Sequence, residues 1–249
     1  MRGLRDKGVL ITGGSRGIGL ATAQRFLEEG ARVFICGLEQ DEVEQTVHAL
    51  AKYGSIQGVQ CDVSQEEQVL RFVEEAEEVL QGIDVLIDNA GIAWEENFLD
   101  TTTEHWDKII AVNLRGMFLV AREVAKRMIA RGKGGAIVLM SSKNGLAGEV
   151  KYAHYNASKG AIIMLMKTMA LELGPHDIRV NALCPGYILT PLAESIDSPE
   201  FIAAYSNNIP LGRVGRPEEI AATYAFLASD DASFVHGTEL LVDGGQLAQ

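Results

Sequence analysis

Val9-Leu10-Ile11-Thr12-Gly13-Gly14-Ser15-Arg16-Gly17-Ile18-Gly19 is the stretch on which the fold turns. An unbroken apolar run leads straight into glycines at 13, 17 and 19, and a helical pattern then runs over 18–29. Glycine lets the chain turn sharply and brings backbone N–H groups close to an anion. A helix beginning near Gly17 would aim its positive end at that anion, which is how dinucleotide pyrophosphates are held. The spacing is Gly-x-x-x-Gly-x-Gly, not the general Gly-x-Gly-x-x-Gly fingerprint. The context of strand before and helix after is the one the chemistry needs.

The same alternation continues outward. Strand-length apolar runs recur at Val9–Thr12, Val33–Cys36, Ile56–Gln60, Val85–Ile87, Ala136–Met140, Val180–Leu183 and Leu240–Val242. Most are continuous and not alternating, as strands are when both faces are buried in a parallel sheet. Helical segments lie between them at Ile18–Glu29, Glu39–Lys52, Glu66–Leu80, Glu104–Arg131, Asn156–Leu173 and Pro217–Ala228. Stacked strand–helix–strand units predict an α/β, doubly wound, Rossmann-like parallel sheet with helices on both faces. No linker or low-complexity tract interrupts it, so residues 1–249 read as a single dinucleotide-binding and catalytic domain, with a substrate loop over 187–212. Leu114–Met128 and Ala161–Leu173 are apolar around much of their circumference. A sheet covers only one side of a helix, so a second subunit is expected on the other, giving a homo-oligomer, a dimer or tetramer.

Composition narrows the function classes. The 249 residues carry 34 acidic against 22 basic side chains, a formal charge of -12. Phosphate-neutralising nucleic-acid binders need a basic surface, and anionic membranes attract basic segments; neither fits. Cys36, Cys61 and Cys184 are unpaired at metal-ligand spacing and sit in or beside apolar runs, so core thiols and no metal site are expected. No apolar stretch is long enough for a leader or a membrane span, and a cytoplasmic location is the expectation.

Tyr155-Asn156-Ala157-Ser158-Lys159 places a phenol and an amine one helical turn apart, on one face. A lysine charge there would favour the phenolate and lower the Tyr155 pKa, fitting it for proton exchange with a carbonyl or alcohol. Ser142 follows the strand Ala136–Met140, at the strand end where open α/β sheets bind ligands. Each signal alone has a plain alternative: a tight turn, a surface helix pair, a turn-capping serine.

Taken in order along the chain, these residues resemble the single-domain short-chain dehydrogenase/reductase family, across essentially the whole length. Gly13, Gly17 and Gly19, with Ser15, Arg16 and Ile18 between them, look like that family's cofactor turn. Asp62-Val63 is similar to its adenine-contacting pair, and Asp88-Asn89-Ala90-Gly91 to its Asn-Asn-Ala-Gly turn, with Asp88 replacing the first Asn. Asn113, Ser142, Tyr155 and Lys159 match its catalytic positions. Pro185-Gly186, with Ile188 and Thr190 after it, looks like the turn that holds the nicotinamide ring, and Val242-Asp243-Gly244-Gly245 like its final strand and turn. The resemblance implies an NAD(P)-dependent oxidoreductase moving a hydride between nicotinamide and a carbonyl or secondary alcohol. Tyr155 would be the acid/base, Ser142 would orient the substrate oxygen, Lys159 would tune Tyr155 and hold the ribose, and Asn113 would anchor a relay water.

Two features separate NADP from NAD. Gly37 stands where NAD-preferring relatives carry an acid, which leaves room for a 2′-phosphate that Arg16 can pair. Leu38 and Glu39 pull the other way; on balance the reading favours NADP over NAD. Ala93, Trp94, Asn144, Ala147, His154, Tyr187 and the stretch 192–210 are the expected pocket lining, with Trp94 as an apolar wall and Glu95 and Glu149 nearby. A 3-oxoacyl reductase acting on carrier-bound substrate is an alternative, kept open by Lys133 and nearby arginines. Sugar-nucleotide epimerases would carry a longer C-terminal region, and enoyl reductases a wider Tyr–Lys spacing. A non-catalytic dinucleotide-binding sensor on the same fold is the reading from outside enzymes.

Overall fold

The computed structural model describes residues 1–248; Gln249, the last residue of the expected domain, lies outside the described residues. Seven parallel strands form one sheet in the order β3-β2-β1-β4-β5-β6-β7. They are β1 Gly8–Thr12, β2 Arg32–Gly37, β3 Ile56–Gln60, β4 Val85–Asp88, β5 Gly135–Met140, β6 Ile178–Pro185 and β7 Glu239–Val242. Every residue of β1 and β4 is buried, as their unbroken apolar runs required. The helices are α1 Gly17–Glu28, α2 Gln40–Leu50, α3 Glu66–Leu80, α4 Thr103–Ile110, α5 Met117–Arg131, α6 Ala153–Leu173, α7 Pro191–Ile196, α8 Pro199–Tyr205 and α9 Pro217–Ala228. Helix α1 packs on α9 and α3 on α5, and these pairs sandwich the sheet. Strand order reverses between β1, which pairs with β2, and β4. Loops on either side of such a reversal diverge and leave a crevice beyond the strand ends.

Two expectations need correcting. The segment expected as one helix over Glu104–Arg131 is instead α4 and α5 joined by a π-helical turn, Ala111–Gly116. Such turns insert an extra residue and concentrate at functional positions; this one carries Asn113. The substrate loop is also not irregular throughout, because it contains α7 and α8. Both begin with a cap-and-proline signal, Thr190-Pro191 and Ser198-Pro199, and each cap hydroxyl accepts a backbone N–H at about 3.2 Å. That signal was present in the sequence.

Among the described residues no helix is long and apolar enough to cross a membrane, and no cluster of His, Cys, Asp and Glu could hold a metal ion. Cys36, Cys61 and Cys184 are free and buried.

Candidate active site

A cavity of about 590 Å³ runs along the C-terminal ends of β1, β2, β4, β5 and β6. Its outer arm starts at the glycine turn. Gly13 and Gly17 have φ of +62° and +55°, a left-handed backbone that a side chain disfavours. A Cβ on Gly19 would lie 2.0 Å from the Gly13 carbonyl oxygen, so only glycine allows α1 to start this close to the turn. Gly13, Ser15, Arg16, Gly17, Ile18, Gly37, Leu38, Asp62, Val63, Asn89, Ala90, Gly91, Pro185, Gly186, Ile188 and Thr190 all line this cavity. Gly19 stands behind the turn. A dinucleotide fits this bare, N–H-lined cradle at a helix start.

At Gly37 the space is not open. A Cβ there would meet Ser15 Oγ at 2.6 Å and Val43 at 2.9 Å. Glu42, from the first turn of α2, contacts the Ser15 hydroxyl at 3.4 Å and the Arg16 guanidinium at 3.7 Å. Glu42 is a cavity residue that the motif comparison missed, because nothing in its local sequence marks it.

The inner arm brings Ser142, Tyr155 and Lys159 together. Ser142 follows β5 and accepts the Asn144 N–H at 3.1 Å, capping a short 3-10 turn. Tyr155 lies in the first turn of α6, and burial pushes its phenol up to about 12 although the Ser142 hydroxyl pulls it down. Lys159, one turn on and 2% exposed, donates to the Met140 carbonyl at 2.9 Å, and burial pushes its ammonium down to about 8. Its nitrogen is 5.4 Å from the Tyr155 ring centre. Against the expectation that Lys159 lowers the phenol, burial is the larger influence on Tyr155, and one Lys159 N–H is directed at the Met140 carbonyl.

Asn113 is fully buried in the π-helical turn and clamps the loop after β4. Its Oδ1 accepts from the Ile92 N–H at 2.8 Å, and its amide donates to the Ile92 carbonyl at 2.9 Å and to Ser158 Oγ at 3.3 Å. Both amide hydrogens are thus committed to the protein.

The substrate end of the cavity is lined by Ala93, Asn144, Tyr187 and residues of α7 and α8, as expected, and by Glu95 and Glu149. Trp94, Ala147 and His154 are not part of the lining. Trp94 packs edge-on between His105 and His154, at 5.5 and 5.2 Å, behind the wall. Aromatic walls come instead from Tyr152, Tyr187, Phe201 and Tyr205, with Tyr187 and Tyr205 ring centres 4.8 Å apart. Tyr187 donates to Asp197 at 2.6 Å, and Lys143 is held by Glu149 at 2.8 Å.

Comparison with known proteins agrees with this architecture. Residues 13–246 match the family model described as "Enoyl-(Acyl carrier protein) reductase". The chain is 40% identical to the NADP-dependent (R)-specific alcohol dehydrogenase of Lentilactobacillus kefiri, over 99% of this chain and 98% of that protein. It is 41% identical to 3beta-hydroxysteroid dehydrogenase 1 of Eggerthella lenta, over 97% and 94%. Among solved structures, levodione reductase superposes with a TM-score of 0.95 at 35% identity, over 98% of each chain. A short-chain type dehydrogenase/reductase from Mycobacterium marinum gives 0.94 at 37% identity, over 99% of this chain and 97% of that one. With a parallel sheet, a glycine cradle and a serine, tyrosine and lysine at one end of a single cavity, the chain belongs to the short-chain dehydrogenase/reductase family and is an NAD(P)-dependent oxidoreductase acting on alcohols and carbonyls.

Proposed function

We propose that the chain reduces an uncharged ketone to a secondary alcohol, with NADPH preferred over NADH and Tyr155 as the proton donor. The observation that carries this reading is the placement of Tyr155. Its phenol lies beside the Ser142 hydroxyl at the inner end of the cavity, with the Lys159 nitrogen 5.4 Å from its ring centre. Nicotinamide, when bound, would supply the hydride that the carbonyl carbon takes up. The substrate oxygen, held by the Ser142 hydroxyl, takes the proton from Tyr155 Oη, and the C=O double bond becomes a C–OH single bond. Lys159 stands behind the phenol, its nitrogen 5.4 Å from the ring centre, and would hold the ribose. Asn113 keeps the Ile92 loop, and with it the cavity wall, in place.

The glycine turn with Ser15, Arg16 and Ile18 would hold the pyrophosphate. Asp62 and Val63 would flank the adenine. Asn89 to Gly91, with Pro185, Gly186, Ile188 and Thr190, would border the nicotinamide half. The Arg16 side chain is 64% exposed and only loosely paired with Glu42, so it is available to a 2′-phosphate. The NADP dependence of the Lentilactobacillus kefiri relative supports the same preference.

Around the substrate arm Glu149 pairs with Lys143 and Glu95 with Lys151, and Asp197, held by the Tyr187 hydroxyl, is offset by Lys108. An arm whose charges cancel offers no basic surface to phosphate or carboxylate groups, which supports a neutral substrate over a carrier-bound acyl chain. A homo-oligomer, dimer or tetramer, is part of the proposal. So is a cytoplasmic location, supported by three free cysteines.

The test is steady-state turnover with NADPH and NADH against neutral ketones, keto-sugars, steroids and 3-oxoacyl esters, with Tyr155→Phe alongside. Reduction of a neutral ketone that falls at least about a hundredfold in Tyr155→Phe is the expected result, in the range lost with an acid/base group. Turnover confined to the acyl esters, or unchanged in Tyr155→Phe, overturns the reading.

A further inference from the structure

Helix α6 carries Tyr155 and Lys159, yet it starts without an ordinary cap. Its N-cap residue is Tyr152, which makes no side-chain capping hydrogen bond. The first N–H groups of a helix have no intrahelical acceptor, and Ser, Thr, Asp or Asn normally supplies one. Here the acceptor comes from inside the helix: His154 Nδ1 accepts the Tyr155 backbone N–H at 2.8 Å.

That bond fixes the state of the imidazole. A ring nitrogen that accepts an N–H carries no proton, so the neutral ring is protonated on Nε2. Nε2 faces Glu96 Oε2 at 3.7 Å, and the other Glu96 oxygen holds His105 Nδ1 at 2.9 Å. His154 is 1% exposed and wedged edge-on against Trp94. Among the described residues neither His154 Nε2 nor Glu96 Oε2 has a hydrogen-bond partner, and the two buried atoms face each other as N–H and acceptor. The chain at Glu96 is itself tied across to the start of α6, since the Glu96 N–H donates to the Lys151 carbonyl at 2.8 Å and Glu96 forms a bridge with Tyr152.

We infer that His154 is a positioning residue for Tyr155: oriented by Glu96, it caps the catalytic helix at the backbone of the proton donor itself. The residue lies outside the cavity and touches no reacting atom. Its effect is on where the Tyr155 hydroxyl stands relative to Ser142. A small misplacement of a proton donor costs turnover far more than it costs substrate affinity.

Charge enters through the same contact. Protonating His154 puts a second N–H on Nδ1, directly against the Tyr155 N–H. The groups facing the ring are Glu96, His105 and, across Trp94, Lys108, whose ammonium is 5.9 Å from the indole. Burial keeps the imidazole below its ordinary value, so the cap is intact at neutral pH and fails on acidification.

The test compares His154→Asn, His154→Gln and His154→Phe in the full chain. Asparagine places an acceptor where Nδ1 stands; glutamine reaches toward Nε2 and phenylalanine offers neither. In His154→Phe and His154→Gln kcat is expected to fall by about tenfold, with KM for the nicotinamide cofactor within about twofold. His154→Asn is expected to stay within about threefold of the parent and to lose part of the acid-side decline in kcat. Hydrogen–deuterium exchange over residues 152–158 is read on the same proteins and needs no substrate, so it separates failure of this inference from failure of the proposed reaction. Faster exchange in His154→Phe and His154→Gln, restored in His154→Asn, is the supporting result. Equal exchange in all four proteins, or equal loss of kcat in all three variants, overturns it.

Discussion

The Thr12 hydroxyl donates to Asp88 Oδ1 at 2.7 Å and accepts the backbone N–H groups of Asn89 and Ala90 at 2.9 and 3.0 Å. One hydroxyl thus ties the end of β1 to the turn after β4, at the strand-order reversal where the cavity opens. Asp88 is buried, and its second oxygen has no hydrogen-bond partner among the described residues; nor does the nearby Tyr224 hydroxyl. Burial pushes the Asp88 carboxyl up to about 7, although Thr12 and the Lys159 charge pull it down.

The sign of the resulting pH dependence follows. The native chain binds the Asp88 proton more tightly than the unfolded chain, whose carboxyl has the ordinary value of 3.8. The stability contribution is complete below about pH 4 and is gone once pH has risen through about 7. Asp88→Asn keeps the shape, removes the charge and restores the residue that the family motif carries. Its melting temperature is expected to exceed the parent's by several degrees at pH 8 and to match it near pH 4. A pH-independent difference would remove the Asp88 titration from the account.

Glu42 lines the cavity beside Arg16, with a carboxylate oxygen 3.7 Å from the guanidinium. Glu42→Gln removes a negative charge and frees the guanidinium for a bidentate contact with a 2′-phosphate. The ratio of kcat/KM for NADPH over NADH is expected to rise by about threefold to fivefold, the worth of one partly screened charge contact. An unchanged ratio would place the phosphate elsewhere.

Gly19→Ala tests the cradle. The added Cβ would meet the Gly13 carbonyl oxygen at 2.0 Å, which forces the glycine turn and α1 apart. Loss of about 1–3 kcal/mol of stability is expected, the usual cost of overpacking, together with loss of thermal protection by NADPH. Calorimetry with and without cofactor reads both quantities; retained protection would show that the turn can yield.

The faces of α5 and α6 left open by the sheet present Phe118 at 42% exposure, Met164 at 62% and Leu171 at 82%. Ile110, Leu114, Phe118 and Leu165 also border a shallow depression there. A second subunit would cover these groups. Met164→Glu is expected to lower the molar mass seen by light scattering, without loss of helical circular dichroism. A parent protein that is already monomeric at micromolar concentration would remove the interface.

The elements of the sheet were readable because β1 and β4 are buried on both faces and so could be nothing but unbroken apolar runs. The Ser142, Tyr155 and Lys159 set was readable because helical spacing fixes the last two on one face and β5 delivers the first. Trp94 was misjudged as a pocket wall for a physical reason: its direction is set by contacts with His105 and His154, eleven and sixty positions away. Tyr152 and Glu42 reach the cavity through folding alone, with no local pattern to announce them.

By itself, then, the sequence determined the doubly wound parallel sheet, the glycine cradle and the grouping of Ser142, Tyr155 and Lys159 proposed to carry the reaction. These depend on periodicity, on turn chemistry and on residues whose spacing is set within one helix or one strand end. Only the tertiary structure decided the electrical state of the site and the shape of its wall. Tyr155 is raised and Lys159 lowered because both are stripped of water by parts of the chain distant in sequence. His154 caps Tyr155 because Glu96, brought in from another loop, faces its ring. Desolvation and facing charges belong to the three-dimensional surroundings of a group, and no one-dimensional pattern encodes them.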